Sequence, residues 1–380
     1  MGRGRVISPT ERRLGYTEKC GKHLQMPGER ANDAQPIQKR ARAGRSRTMS
    51  KHYDISDEGS HESGIEDSEW QESVFVHWYD RAAGVGGVSR IGHEPNRPGG
   101  GRAALQCFVA TADGIRYRRN DFQLPLEQAA TERGFRAGGS QWHVDEGAPR
   151  LVIDEPGVYA DLTMDNFYPL ADFFPPSSSM AQDFAKDHYE TSGRISGCVR
   201  VDGRSYDING MYHRDHSWGV RKTMTLKSHR WISGTFGPDL SFGSILWHAS
   251  DESLVRVGYL VRDGQIDYAV DVDAVTYLEP DGLTHRGGQV RWSMPNDEVF
   301  TLQADPMDAV VAHLHNVYYV DSICDVSFPG DNNRWGICDF EVSNNARLGT
   351  APIGTAINAA LDDGLTRRPR RPESLIALRV

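Results

Sequence analysis

The densest group of chemically capable side chains lies at residues 212–221, YHRDHSWGVR. In an extended strand, side chains alternate between faces. His213, Asp215 and Ser217 then share one face, Arg214, His216 and Trp218 take the other, and Arg221 follows closely. A carboxyl set in a poorly hydrated cavity keeps its proton near neutral pH. On that logic Asp215 is the candidate general acid, protonating a C=C bond, and His216 orients it or deprotonates an incoming water. Trp218 offers a ring face that shields a developing carbocation. Arg214 and Arg221 suit the polar end of a ligand or the bracing of a barrel. An architectural alternative uses the same residues, as a buried ion pair of Asp215 with Arg214 or Arg221 that fixes the register between two sheets.

The strands that follow add aromatic surface. Trp231, Phe236, Phe242 and Trp247 fall close together, with His229 and His248 beside the tryptophans. Aromatics gathered around a few ionisable groups are what a pocket for a large apolar ligand requires. Trp231, Trp247 and His213 therefore join Arg214 and Arg221 as candidate binding residues, although core packing uses the same residue types. A metal is the other chemistry to weigh. His213-x-Asp215-His216 and His313-x-His315 supply N/O ligands if adjacent in space. His213 and His216 face opposite ways, however, and no metal is expected. GVGGVSRIG lacks a following helix and is no dinucleotide fingerprint; Ser217, in HSWG, does not match a nucleophile elbow.

The elements that must position these residues are strands. SVFVHWYD at 73–80 sets Val74, Val76 and Trp78 against Phe75, His77 and Tyr79, so both faces are apolar or aromatic. Asp113-Gly114, Asp202-Gly203, Asp263-Gly264 and Asp281-Gly282 mark four hairpins, because such dipeptides reach the positive φ that tight turns need. Hairpin-linked strands give antiparallel meanders that hide their edges best by closing into barrels. With 380 residues, 38% hydrophobic and 39 of them glycine, the chain has the makings of a turn-rich β protein with a sizeable core. Residues 166–190 break the pattern with Pro175-Pro176, a serine run and several Phe/Tyr rings, and read as a connection between two β-rich halves.

Charge is uneven along the chain. Residues 1–48 carry twelve Lys/Arg against four Asp/Glu, so the body is more acidic than the formal net charge of −9 indicates. An acidic body argues against nucleic acid or an anionic membrane as partner. The basic segment is expected to be disordered, and MSKHYDISDEGSHESG from Met49 reads as a natural start. No apolar run approaches the ~20 residues of a membrane helix, and the N-terminus lacks a secretory h-region. Five scattered cysteines without a C-x-x-C pair suit free thiols in a reducing cytoplasm.

RDHSWGVR, preceded by the hairpin GCVRVDGRSYDI and followed by a Trp-rich strand pair, resembles the lipocalin-like superfamily of carotenoid 1,2-hydratase (hydroxyneurosporene synthase) and tocopherol cyclase-like proteins. The likeness is strongest to a bacterial family of unknown function with an R-D-H-S-W-G-x-R segment, whose N-terminal half GVGGVSRIGHEPN resembles. It spans about residues 68–345 and implies an all-β protein of two lipocalin-like antiparallel barrels or sandwiches side by side, with few short helices. The domains expected are a disordered extension at 1–65, β domains at 66–165 and 191–345, a linker at 166–190, and a tail at 346–380. Relatives hydrate, cyclise or isomerise terpenoid-type double bonds without redox cofactors. The motif residues carried across are Arg214, Asp215, His216, Trp218 and Arg221; Tyr212-His213 stand where small residues are expected, which narrows the pocket. The expectation is a cytoplasmic, cofactor-free hydratase, cyclase or isomerase of a terpenoid, steroid or acyl-like molecule. Its rivals are a non-catalytic carrier of an apolar metabolite and a His/Asp metal-dependent enzyme. Oligomeric state is not legible.

Overall fold

The computed structural model describes residues 51–345, apart from 127–129, 132–133, 146, 176–177, 179–183, 223–224, 279–284, 315–316 and 330, together with Leu348 and Ile376–Arg379. Within them the protein is all-β, with one 3-10 turn at Ile55–Glu58 and two antiparallel sheets. The first sheet holds β1 (Trp70–Asp80), β2 (Val85–Glu94), β3 (Arg102–Thr111), β4 (Gly114–Leu124), β5 (Ala130–Thr131), β6 (Gly134–Ala137), β7 (Ser140–Asp145), β8 (Ala148–Glu155), β9 (Val158–Asn166), β10 (Ala171–Asp172), β11 (Asp187–Val201) and β12 (Arg204–Val220). The second holds β13 (Leu226–Thr235), β14 (Leu240–Ala249), β15 (Leu254–Arg262), β16 (Gln265–Tyr268), β17 (Asp271–Leu278), β18 (His285–Ser293), β19 (Val299–Leu314), β20 (Val317–Phe328), β21 (Asp331–Asn345) and β22 (Ile376–Arg379).

Both sheets follow one plan, although no repeat is visible in the sequence. In the first, a β1–β4 meander and a longer one ending at β12 join where β1 pairs with β12. In the second, a β13–β16 meander and a β17–β21 meander join where β13 pairs with β21. The boundary between sheets falls at residues 221–225. The long hairpin β11–β12, read from sequence as the opening of the second half, is therefore hydrogen-bonded into the first sheet. Its register against β9 and β1 fixes it there.

Alternation sorts the apolar residues into three layers. On β1, Val74, Val76 and Trp78 enter the core inside the first sheet, with Trp142 and Leu162. Phe75 and Tyr79, on the opposite face, enter the layer between sheets, with Trp231, Tyr259 and Ile323. A third core, around Phe242, Trp292 and Phe340, fills the second sheet. Burying such a side chain contributes about 1.5–3 kcal/mol, so a strand buried on both faces is strongly held.

Three of the four expected hairpins are present. Asp202 and Gly203 (φ +52° and +71°), and Asp263 and Gly264 (φ +49° and +71°), form two-residue turns with both central residues left-handed, while Gly114 (φ +110°) opens β4. Such turns match the twist of the strands they join. Asp281-Gly282 lies outside the described residues, as do residues 1–48. The stretch from Lys51 to residue 65, expected to be disordered, is packed instead. Tyr53 and Glu58 are buried in it, and Asp54 caps the 3-10 turn by accepting from Ser56 N. Charged composition misled here because Glu58 has a buried arginine as its partner. Cys107, Cys324 and Cys338 are buried free thiols. Among the described residues no helix is long and apolar enough to cross a membrane.

Candidate functional site

The register of β1, β12 and β11 places rows of three side chains on each face. Phe75, Asp215 and Glu190 form one row, and Ser73, Ser217 and His188 the next, both turned toward the second sheet. Val74, His216 and Tyr189 form a row on the opposite face, inside the first sheet. The expected motif is thereby divided between two places.

On the second-sheet side lies a cleft with an empty volume of ≈ 820 Å³, counting the part open to solvent. Phe75, Phe184, Trp231 and Trp247 give it apolar walls, and Asp215, Arg221 and His188 line it from the first sheet's side. From the second sheet come His229, Tyr319, Asp321 and Glu341, while Arg90 and Gln106 reach in from β2 and β3. Of the residues anticipated, Asp215, Arg221, Trp231 and Trp247 thus meet at one cleft.

Asp215 does not stand alone there. Its Oδ2 lies 3.2 Å from His188 Nε2, which is also 3.4 Å from Glu190 Oε1. Burial opposes the charged imidazole, yet the two carboxylates raise His188 to about 9. Phe173 stacks on the His188 ring at 4.3 Å. Asp215 Oδ1 and His188 Nδ1 are buried without a hydrogen-bond partner, so each offers unspent capacity to a ligand. Glu190 beneath them is saturated. It accepts from Trp231 Nε1 (2.9 Å) and from Tyr259 OH, and His213 Nε2 lies 3.2 Å away. Burial pushes its carboxyl up, but His188 and His213 hold it down at about 2. Glu190 therefore rivets β11 to β13 and β15 across the sheets. His213, which also contacts Ser192 Oγ at 2.8 Å, belongs to this rivet and does not line the cleft.

The opposite wall carries an acid that no motif announced. Asp321, 1% exposed, accepts from Gln106 Nε2, and Glu341 beside it contacts His229 Nε2. Burial, and then the Glu341 carboxylate, push Asp321 well above the usual carboxylate range. Arg90 Nη1 is buried without a hydrogen-bond partner. Arg221 donates to Phe184 O (3.1 Å) and Ser217 Oγ (2.8 Å); burial and the nearby Arg90 lower it to about 10. Strand alternation was the sole sequence signal for Asp321 and Glu341, and distance along the chain hid their link to Asp215.

Arg214, His216 and Trp218 face away from the cleft, into the end of the first sheet that the 51–66 segment covers. Arg214, fully buried, pairs with Glu58 through Nη1 (3.0 Å) and Nη2 (2.5 Å) and lies 5.1 Å from the Trp142 ring centroid. His216 bridges Tyr189 OH (3.0 Å) and Glu72 Oε1 (2.9 Å). Trp218 stacks on His61 at 3.8 Å. The sequence-based metal set is not assembled, since His213 and His216 diverge, His313 is exposed, and His315 lies outside the described residues. Neither anticipated ion pair forms: Arg214 takes Glu58, and Asp215 takes His188.

An all-β protein of two packed antiparallel sheets, with an aromatic cleft between them that holds opposed ionisable groups, is the class these features define. The chain belongs to the family described as domain of unknown function DUF7064, which matches residues 54–346. No curated protein matches it in sequence. In structure it is similar to an AttH-like protein of Nitrosomonas europaea (12% identity, TM-score 0.61, 78% of this chain and 98% of that one). It is similar also to CghA in complex with Sch210972 (14%, 0.52, 73% and 89%) and to kievitone hydratase of Nectria haematococca (7%, 0.50, 72% and 88%). At these identities the likeness is one of fold.

Proposed function

We propose that the protein binds a large apolar unsaturated molecule, terpenoid, steroid or acyl-like, between its sheets and protonates one of its C=C bonds. It would thereby act as a hydratase, cyclase or isomerase. The observation that carries this reading is Asp321, a buried carboxyl that burial and then Glu341 push well above the usual carboxylate range, in a cleft with aromatic walls. A neutral acid at neutral pH has a proton to deliver, and a neighbouring carboxylate of different environment takes the complementary role. Asp215 was the donor expected from sequence. It lies against a His188 that its surroundings hold as a cation, so in this reading it is the base. Asp321 gives its proton to one alkene carbon; the rings of Phe75, Trp231 and Trp247 face the cation formed. The Asp215 carboxylate takes a proton from an attacking water or from the adjacent carbon. Arg90 and Arg221 hold the ligand's polar end. The resemblance of RDHSWGVR to hydratases and cyclases, and the hydratase among the proteins of like fold, support the reaction class.

The test begins with mass spectrometry of apolar molecules extracted from natively purified protein. Those molecules, and a panel of isoprenoid and unsaturated acyl alkenes, are then incubated with enzyme in ¹⁸O-labelled and deuterated water. Wild type should incorporate label or isomerise a bound alkene, and Asp321→Asn should slow this by ~10²–10⁴ with affinity nearly unchanged. Conversion by Asp321→Asn at the wild-type rate would refute the assignment. Tight binding without any conversion by wild type would make the protein a carrier.

A further inference from the structure

Three imidazoles converge on one carboxylate at the covered end of the first sheet, well apart from the cleft's chemistry. Glu72 Oε1 lies 2.6 Å from His61 Nδ1 and 2.9 Å from His216 Nε2, and its Oε2 lies 2.8 Å from His93 Nε2. We infer that His61, Glu72 and His216 form a divalent-metal site of the Zn²⁺ type, which clasps the 51–66 segment onto β1 and β12.

The convergence of these donor atoms carries the proposal, and the hydrogen bonds around His216 support it. Tyr189 OH has a single proton, and its neighbours Glu58 Oε2 (2.8 Å) and Asp57 O (3.3 Å) can only accept. Glu58, paired with the buried Arg214, takes that proton as an ionised acceptor. His216 Nδ1, 3.0 Å from the same phenol oxygen, must therefore be the donor to it. His216 Nε2 then faces the Glu72 carboxylate oxygen at 2.9 Å, a position where a metal ion can stand between the two. A hydrogen bond fixing the remote ring nitrogen is the usual support of a ligating histidine.

The other ligands fit the same scheme. His61 turns Nδ1 inward, and its outer Nε2 lies 3.9 Å from Asp57 Oδ1. Its ring is held flat on Trp218, 10° from parallel. The three candidate donor atoms all lie within 4.8 Å of one another, a spacing that modest side-chain adjustment converts to ligand distances of ~2.0–2.2 Å about one ion. Two imidazoles and a carboxylate are an N/O set suited to zinc, with His93 or a water as fourth ligand. Glu72 and His216 are fully buried, so the ion would tie the chain together, with no role in the cleft.

The experiment uses full-length protein without a histidine tag, stripped with EDTA, equilibrated with Zn²⁺ and gel-filtered before elemental analysis. One zinc per chain is expected, together with a thermal midpoint that rises with free Zn²⁺. A Co²⁺-loaded sample should show the strong visible bands of a four-coordinate N/O site. His61→Ala, at a half-exposed position, should remain folded and lose both signals. Tyr189→Phe, which removes the acceptor for His216 Nδ1–H, should weaken zinc ~10–100-fold. Zinc retained by wild type no better than by His61→Ala would overturn the proposal. So would nitrogen chemical shifts showing both His216 nitrogens protonated in zinc-equilibrated protein.

Discussion

Replacing Glu58 by Gln tests whether the acidic N-terminal stretch is structural. Glu58 is 1% exposed and comes from the 3-10 turn Ile55–Glu58; Arg214, on β12, is 0% exposed. Both terminal nitrogens of the guanidinium go to Glu58, while Arg214 Nε has no hydrogen-bond partner. Removing the carboxylate charge strands a buried cation, which costs ~3–5 kcal/mol. The Trp142 and Tyr189 rings, 5.1 and 5.8 Å from the guanidinium carbon, keep the cost from running higher. Gln is nearly isosteric, so packing loss contributes little. Urea unfolding followed by tryptophan fluorescence supplies the measurement. Glu58→Gln should lower stability by ~3–5 kcal/mol, and combining it with Arg214→Met should cost less than the sum of the two singles by at least ~2 kcal/mol. A loss within ~0.5 kcal/mol, the range of ordinary surface changes, would refute the reasoning and mean that Arg214 is solvated.

Other outcomes follow from the inter-sheet rivet. His188 is raised to about 9 from its ordinary value near 6.5, so its stabilising contribution is complete below ~6.5 and is lost as pH rises through 9. Stability should therefore fall over that window, on the order of 3 kcal/mol at most, and Asp215→Asn should flatten the fall. Glu190, held at about 2, contributes stability above its ordinary value near 4.5 and loses it as pH drops toward 2, which acid titration of the unfolding midpoint would show. Gly243→Ala should destabilise, because its Cβ would sit 2.5 Å from Glu190 Oε2 and 2.5 Å from the Tyr259 ring; a midpoint equal to wild type would count against the packed rivet. A protein starting at Met49 should keep the full-length midpoint, while one starting beyond Glu58 should lose as much as Glu58→Gln.

Local patterns carried the fold, and four of the anticipated residues, Asp215, Arg221, Trp231 and Trp247, line one cleft. Asp-Gly pairs marked hairpins because few residues reach positive φ cheaply, and the both-faces-apolar reading of Val74 to Tyr79 followed from strand period alone. The same period separated Asp215 from Arg214 and His216 correctly. What each face meets is a tertiary fact, and there sequence reasoning stopped. Arg214 was offered Asp215 as partner because the two adjoin, yet adjacent strand residues point apart, and the charge that satisfies Arg214 comes from Glu58, far back in the chain. Asp321 likewise sits in an ordinary alternating strand, and its carboxyl is pushed up by burial first and then by Glu341, which the pairing of β20 and β21 brings beside it. The division has a chemical consequence. One strand, β12, serves two environments through alternate residues: Asp215 faces an aromatic cleft that also holds Asp321 and Arg90, and His216 faces a closed cluster of imidazoles around Glu72. A change at Arg214, His216 or Trp218 should then act first on folding and on the clasp of the 51–66 segment, and a change at Asp215 first on the cleft. That separation can be measured on the two sets of variants by comparing stability with ligand affinity, and equal effects of both sets on both properties would contradict it.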